Sequence, residues 1–202
     1  MSSAGSSIGT KGVPRAERET QIVAAAIGEF AVRGYAGASM VEIARRAGIS
    51  KPLIYQYFGS KDGLFLVCLH QVAGALMARL DEAELAVDDT VASRIYPLRA
   101  IFEALEPQRE AWRLLFDTSL PATGPIADAA GEYRTHLVEL AASGSARFLL
   151  ARGIRSDADA SALTDVWMGL VSSLVSWWLD HPDESAAAMI ARCERLLGAI
   201  LS

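Results

Sequence analysis

The segment SKPLIYQYFGSK, Ser50 to Lys61, sets three aromatic rings, two lysines, a glutamine and a proline side by side. These side chains carry the chemistry of duplex DNA recognition. An ammonium neutralises a phosphate, and a tyrosine hydroxyl donates a hydrogen bond to a phosphate oxygen. Gln56 pairs a donor with an acceptor, which matches adenine in the major groove, and Leu53 is the right type to touch a thymine methyl. The candidate DNA-contacting residues are Ser39, Met40, Ser50, Lys51, Pro52, Leu53, Tyr55, Gln56, Tyr57 and Lys61.

Such side chains act only where a rigid element presents them. Hydrophobic periodicity is helical along the whole chain, with no period-2 strand. A first helix is expected from Pro14 or Arg15 to Arg33, with Ile22, Val23, Ala26, Ile27, Phe30 and Ala31 as its apolar stripe and a glycine stop at Gly34. Ser39 to Glu42 reads as a capping box opening a short second helix, which Gly48 closes. A third helix follows at once, about Lys51 to Phe58, with Pro52 in its first turn. Ile54 and Phe58 anchor it, leaving Lys51, Leu53, Tyr55, Gln56 and Tyr57 facing away. Two short helices around a three-residue glycine turn have helix-turn-helix geometry, in which the second helix meets base edges. The free N–H groups at helix starts capped by Ser39 and Ser60 are further phosphate-binding positions.

Ser60 caps a helix reaching to about residue 84, some 38 Å long at 1.5 Å per residue, enough to connect a head to a body. Further helices are expected at about 91–105, 108–119, 126–152, 158–180 and 184–201. The expected fold is all-α, about nine helices. It divides into a flexible tail (1–14), a helix-turn-helix domain (15–60) and a larger helical body (61–202).

The chain has 202 residues and a net charge of −5, but residues 1–65 hold eight Lys/Arg against five Asp/Glu while the rest hold eleven against nineteen. A basic head on an acidic body suits a DNA reader whose body does not touch DNA. Cys68 and Cys193 lie far apart inside helical patterns and read as buried free thiols. No uninterrupted apolar run of about 18 residues occurs, so no membrane span is expected, and the N-terminus lacks the apolar stretch of a secretory signal. The expected location is cytoplasmic. The three histidines fall on separate segments, and the sequence has no HExxH, paired-cysteine, GxSxG or phosphate-cradling glycine motif. Neither catalysis nor a cofactor or metal is expected. A helical small-molecule- or protein-binding module without DNA function is the rival reading.

GYAGASMVEIARRAGISKPLIYQYFGSKDGLF, Gly34 to Phe65, resembles the DNA-binding head of the TetR family of bacterial transcriptional regulators. The resemblance runs from Arg15 to Phe65. It combines Gly-Tyr before the second helix, Ile-Ala within it, Ala-Gly-Ile-Ser at the turn, Tyr-x-Tyr-Phe and the Ser-Lys opening helix four. Ala38 departs from the Thr or Ser common before the cap. The resemblance implies a ligand-responsive repressor that binds a palindromic operator as a homodimer. It also implies a largely apolar effector cavity in the body, with Phe102, Trp112, Phe116, Tyr133, His136, Trp167 and Met168 as candidate lining residues. All seven are equally types that fill a helical core. His70 reads as an ordinary helix histidine with a partner. The last two helices are apolar over more than one stripe, and by resemblance they form a dimer seam. Its candidates are Val166, Leu170, Leu174, Trp177, Trp178, Met189, Cys193, Leu196, Leu197 and Ile200, for which a monomeric core is the alternative.

Overall fold

The computed structural model describes residues 14–85 and 96–201, and within them every regular element is helical. Among the described residues nine α-helices run in chain order: α1 (Arg15–Gly37), α2 (Met40–Arg46), α3 (Lys51–Phe58), α4 (Lys61–Leu85), α5 (Tyr96–Leu105), α6 (Trp112–Leu115), α7 (Pro125–Leu150), α8 (Asp157–Leu179) and α9 (Ala186–Leu201). The tail expected over 1–14 falls, up to residue 13, outside the described residues, as does the start of the helix expected at about 91.

The head folds as its pattern predicts. Ile22, Ala26 and Phe30 of α1 lie buried against Ile43 of α2, Ile54 of α3 and Phe65 of α4. Phe30 meets Phe65 edge-on, ring centroids 4.9 Å apart, an arrangement aromatic quadrupoles favour. Gly34 breaks α1 at φ 68°, so the last turn, to Gly37, leaves the axis of the helix before it.

α4 packs against α1 on one side and α5 and α7 on the other, joining head to body. The helix expected over 108–119 is instead a 3-10 stretch, Glu106–Ala111, followed by the single turn of α6. Pro107 sits in the first turn of that stretch and Gln108 leaves helical geometry, so no continuous helix can form there. Trp178 is fully buried against Phe102, its ring 5.2 Å from the phenyl centroid, and its indole N–H donates to Glu184 O at 2.9 Å. Glu106 reaches across to accept from the first-turn N–H of Ala186, capping α9.

No membrane span is expected from the sequence, yet two helices among the described residues are long and apolar enough to cross a bilayer. By length and composition α4 (over Lys61–Glu84) and α8 both could, with mean hydropathies of 1.6 and 1.2. In α4 the charged residues gather at the ends, which a search for apolar runs does not see. Half of α4's apolar stretch is buried within the fold, as in any core helix, but only 22% of α8's.

Candidate nucleic-acid interface

The reading surface is built by fixing two turns. At the first, the turn into α2, the Ser39 hydroxyl accepts from Glu42 N at 3.4 Å. The reciprocal half of the capping box does not form. Ser39 N donates instead to Glu29 Oε1 at 3.2 Å, and Glu29, 2% exposed, also lies 3.2 Å from Arg46 Nη2. Glu42 turns outward to Arg45 and Arg46, at 2.7 and 3.0 Å. Hydrogen bonds from those guanidiniums, Arg45 first, hold the Glu42 carboxyl down at about 2. A buried carboxylate on α1 thus positions α2, where sequence reasoning assigned that work to Glu42. Its signal was a lone Glu on the buried stripe of an otherwise apolar helix face.

The second turn joins α2 to α3. Gly48, at φ 65° and open to solvent, supplies the left-handed step that lets Ile49 N return to Ala44 O at 3.0 Å. Ile54 is completely buried, and the anchor leaves Lys51, Pro52, Tyr55 and Gln56 exposed, with Leu53 and Tyr57 half-buried. The Lys51 ammonium stands 5.7 Å over the Tyr55 ring and the Arg15 guanidinium 5.0 Å over that of Tyr57.

Two candidates sit differently from the exposed row. Met40 is buried at 7% exposure, because the first residue of α2 turns its side chain under the helix toward α1. The Lys61 ammonium donates to Ala36 O at 3.3 Å and Ala38 O at 2.9 Å while lying over the Tyr35 ring. It fastens the turn before α2 to the start of α4. The Tyr35 hydroxyl donates to Asp62 at 2.6 Å, and burial followed by that bond raises it to about 12. Ser60 caps α4 as expected, accepting from Gly63 N at 2.9 Å. Gly63 itself passed unnoticed in the sequence: a Cβ there would lie 2.2 Å from Phe58 O.

The head is also held from below. Beyond α6, Asp117 accepts from Tyr35 N at 2.5 Å and from Ser119 N at 2.8 Å, while Ser119 Oγ accepts from Ala36 N at 3.1 Å. Two N–H groups freed by the Gly34 break are thus held by the body. Nothing in the local sequence pattern signals a contact spanning more than eighty residues.

The candidate ligand residues do not surround one cavity. Phe102 is sealed in the core against Trp178. Tyr133 shares a 2.9 Å hydrogen bond with His70, giving that histidine the expected partner, and His136 lies 2.8 Å from Asp81, so both tie α7 to α4. Trp167 and Met168 are half-buried on α8. Trp112 and Phe116, 4.6 Å apart, line a cavity at the junction of head and body. Among the described residues no cluster of three or more metal-ligating side chains forms.

The dimer candidates divide likewise. Val166, Trp177 and Leu196 are exposed at 66, 36 and 47%, with Leu170 and Leu174 half-buried nearby on α8. Trp178, Met189, Cys193 and Leu197 turn inward and belong to the protomer's core; a helix apolar on two sides buries one of them within its own chain. The Ile200 side chain lies outside the described residues.

Residues 22–68 match the family model described as bacterial regulatory proteins, tetR family. The HTH-type transcriptional activator FasR of Mycolicibacterium smegmatis is 37% identical over 105 residues, 52% of this chain and 48% of that protein. The HTH-type transcriptional regulator HbdR of Aromatoleum sp. is 33% identical over 129 residues, 59% of this chain and 53% of that protein. The chain therefore spans about half the length of the curated relatives it matches. Among solved structures, a TetR-like regulator from Rhodococcus sp. RHA1 superposes with a TM-score of 0.70 at 24% identity, covering 94% of this chain and 98% of that one. The regulator FadR of Bacillus subtilis in complex with stearoyl-CoA gives 0.68 at 16% identity, covering 91% and 97%. At these identities the structures speak for the fold.

Proposed function

We propose, from the premise that this chain belongs to the tetR family of bacterial transcriptional regulators, that it is a cytoplasmic, ligand-responsive repressor. It reads a palindromic operator as a homodimer, with residues 15–60 as the reading head and 61–202 as the effector-binding and dimerising body. It acts neither at a membrane nor as an enzyme. The observation that carries the reading is the exposed row on α3, Lys51, Tyr55 and Gln56, set over an Ile54 that is completely buried. In this reading Lys51 and the two tyrosines grip phosphates, Gln56 and Leu53 read bases, and Ser50 and Pro52 let the start of α3 approach the groove. Lys61 acts at one remove, by holding the turn that aims α2.

Self-association follows from α8. A long helix with only 22% of its apolar stretch buried needs a cover, and a two-fold copy supplies one while pairing two heads on an inverted repeat. The seam is drawn through Val166, Leu170, Leu174, Trp177 and Leu196. Relatives of both regulatory signs occur, the activator FasR and the repressor AcnR of Corynebacterium jeikeium. Repression is the outcome where the operator overlaps the polymerase site. The stearoyl-CoA held by FadR supports a small-molecule effector in the body.

Selection from random duplex DNA tests the reading. An enriched inverted repeat, bound with an affinity that falls steeply with salt, is the expected result. No enrichment at low salt overturns it in favour of a binding module without DNA function.

A further inference from the structure

A cavity of about 330 Å³ opens where α1 meets α6 and the last turn of α8. That lies at the lower end of the roughly 300–1,000 Å³ range of small-molecule sites. Phe30, Trp112 and Phe116 border it, Phe30 and Trp112 only 2 and 6% exposed and Phe116 half-buried, with the Trp112 and Phe116 rings tilted by 36°. Its charged groups are in different states. Both carboxylate oxygens of Asp117 are spent on backbone N–H groups. Arg113 is 44% exposed and its nearest acid, Asp180, stands 3.9 Å away, beyond hydrogen-bond length. The cavity therefore presents the half-buried Phe116 ring and one guanidinium with donors to spare.

We propose that this cavity binds a small aromatic carboxylic acid, its rings against Trp112 and Phe116 and its carboxylate on Arg113, and that it is the place where the effector acts on the head. The assignment of an effector rests on the regulator reading above. Coupling follows from the walls themselves. Gly34 and Asp117 line the cavity, and the same two residues form the break and the latch that set the turn into α2. There is no slack at the latch: a Cβ on Gly34 would lie 2.8 Å from Ser119 Oγ. A molecule seated here favours whichever head position leaves room for it, and shifts DNA affinity by its differential affinity for the two positions.

The test uses 2-naphthoate and its neutral counterpart 2-naphthalenemethanol, titrated calorimetrically into the full chain, with DNA binding measured on the selected duplex. Wild type binds the acid about tenfold more tightly than the alcohol, since a charge-assisted hydrogen bond separates them. Arg113→Gln removes that preference. Ser176→Phe, which fills the cavity from α8, abolishes binding of both; Thr118→Trp fills it from the other side and serves if the first variant does not fold. Naphthoate weakens DNA binding about tenfold in wild type and not in the filled variants. A preference that survives Arg113→Gln, acid binding undiminished in both filled variants, or no binding of the acid overturns the assignment. Acid binding as described by a protein that binds no DNA leaves the site standing and removes the regulator reading. DNA binding that naphthoate leaves unchanged does the reverse for the cavity's regulatory role.

Discussion

The turns of the head and the α4–α7 contact of the body are held by different kinds of bond. In the head, polar side chains grip backbone: Glu29 takes Ser39 N, Ser60 takes Gly63 N, and Lys61 holds two carbonyls before α2. In the body, the ties between α4 and α7 join side chain to side chain. His70 meets Tyr133, Asp81 meets His136, and Glu84 meets Arg147, whose Nη2 lies 2.8 Å from the carboxylate. Backbone grips fix the course of a turn, which suits the DNA-reading role proposed for the head. Exposed side-chain ties hold two helices together while leaving their sliding inexpensive. The difference fits the proposed reading of a rigid head carried by an adjustable body.

The largest effect that tests this contrast comes from neighbouring tryptophans on α8. Trp178→Ala empties a core site packed by Phe102 and is expected to cost about 3–5 kcal/mol, read by urea unfolding. Trp177→Ala removes a ring that is 36% exposed and stacked on His181. It leaves protomer stability within about 1 kcal/mol and weakens self-association, read by sedimentation. Equal losses of stability would place both rings in the core and move the seam elsewhere.

Next come two glycines of the same helix. Gly63→Ala forces a Cβ onto Phe58 O, with an expected loss of about 2–3 kcal/mol and a larger loss of DNA affinity, because α3 shifts. Gly74→Ala meets nothing within 4 Å and is expected to stabilise by about 0.5–1 kcal/mol, read as a higher Tm. If the two changed Tm alike, the α3–α4 junction would not be the tight point of the head.

Glu29→Gln is smaller. It keeps an acceptor for Ser39 N but loses the charge facing Arg46, which is 38% exposed and therefore partly solvated. About 1 kcal/mol is expected, with DNA affinity falling more than stability, since α2 loses its anchor.

How far the sequence could be read follows from where these contacts begin. The helices of the head are marked by local signals, a stripe at helical spacing, Ser39 and Ser60 as caps, Gly48 as a left-handed stop, and all of these appear in the structure. Gln56 and Tyr55 were legible as outward-facing because Ile54 had to face in. The burial of Met40 was not legible, because a residue beside a cap has no periodicity of its own to say which way it turns. In the body the helices were legible but their partners were not: one apolar pattern serves equally for core, seam and cavity, so Trp178 and Trp177 looked alike. The Asp117–Tyr35 latch is a contact of tertiary origin, and no local pattern carries it.

The smallest effect separates head from body by acid. Glu42 and Glu84 are both held below the ordinary carboxylate range by arginine hydrogen bonds, Glu42 to about 2 by Arg45 and Arg46, Glu84 by Arg147. A carboxylate lowered on folding contributes stability that is complete above its unfolded value, near 4.3, and is lost as pH falls through its folded value. For Glu42 that window runs from about 4.3 down to about 2. Glu42→Gln is therefore expected to lower Tm slightly at pH 7 and hardly at all near pH 2, and the gap at pH 7 shrinks in high salt because the group lies at the surface. Its effect on DNA runs the other way. Neutralising Glu42 frees Arg45, whose side chain is 71% exposed, to meet a phosphate, so Glu42→Gln binds duplex more tightly and with a steeper salt dependence. Glu84→Gln, with the same sign of pH dependence, leaves the salt dependence of DNA binding unchanged. A change there would mean that the body reaches the duplex, and the division of labour between the two regions would fall.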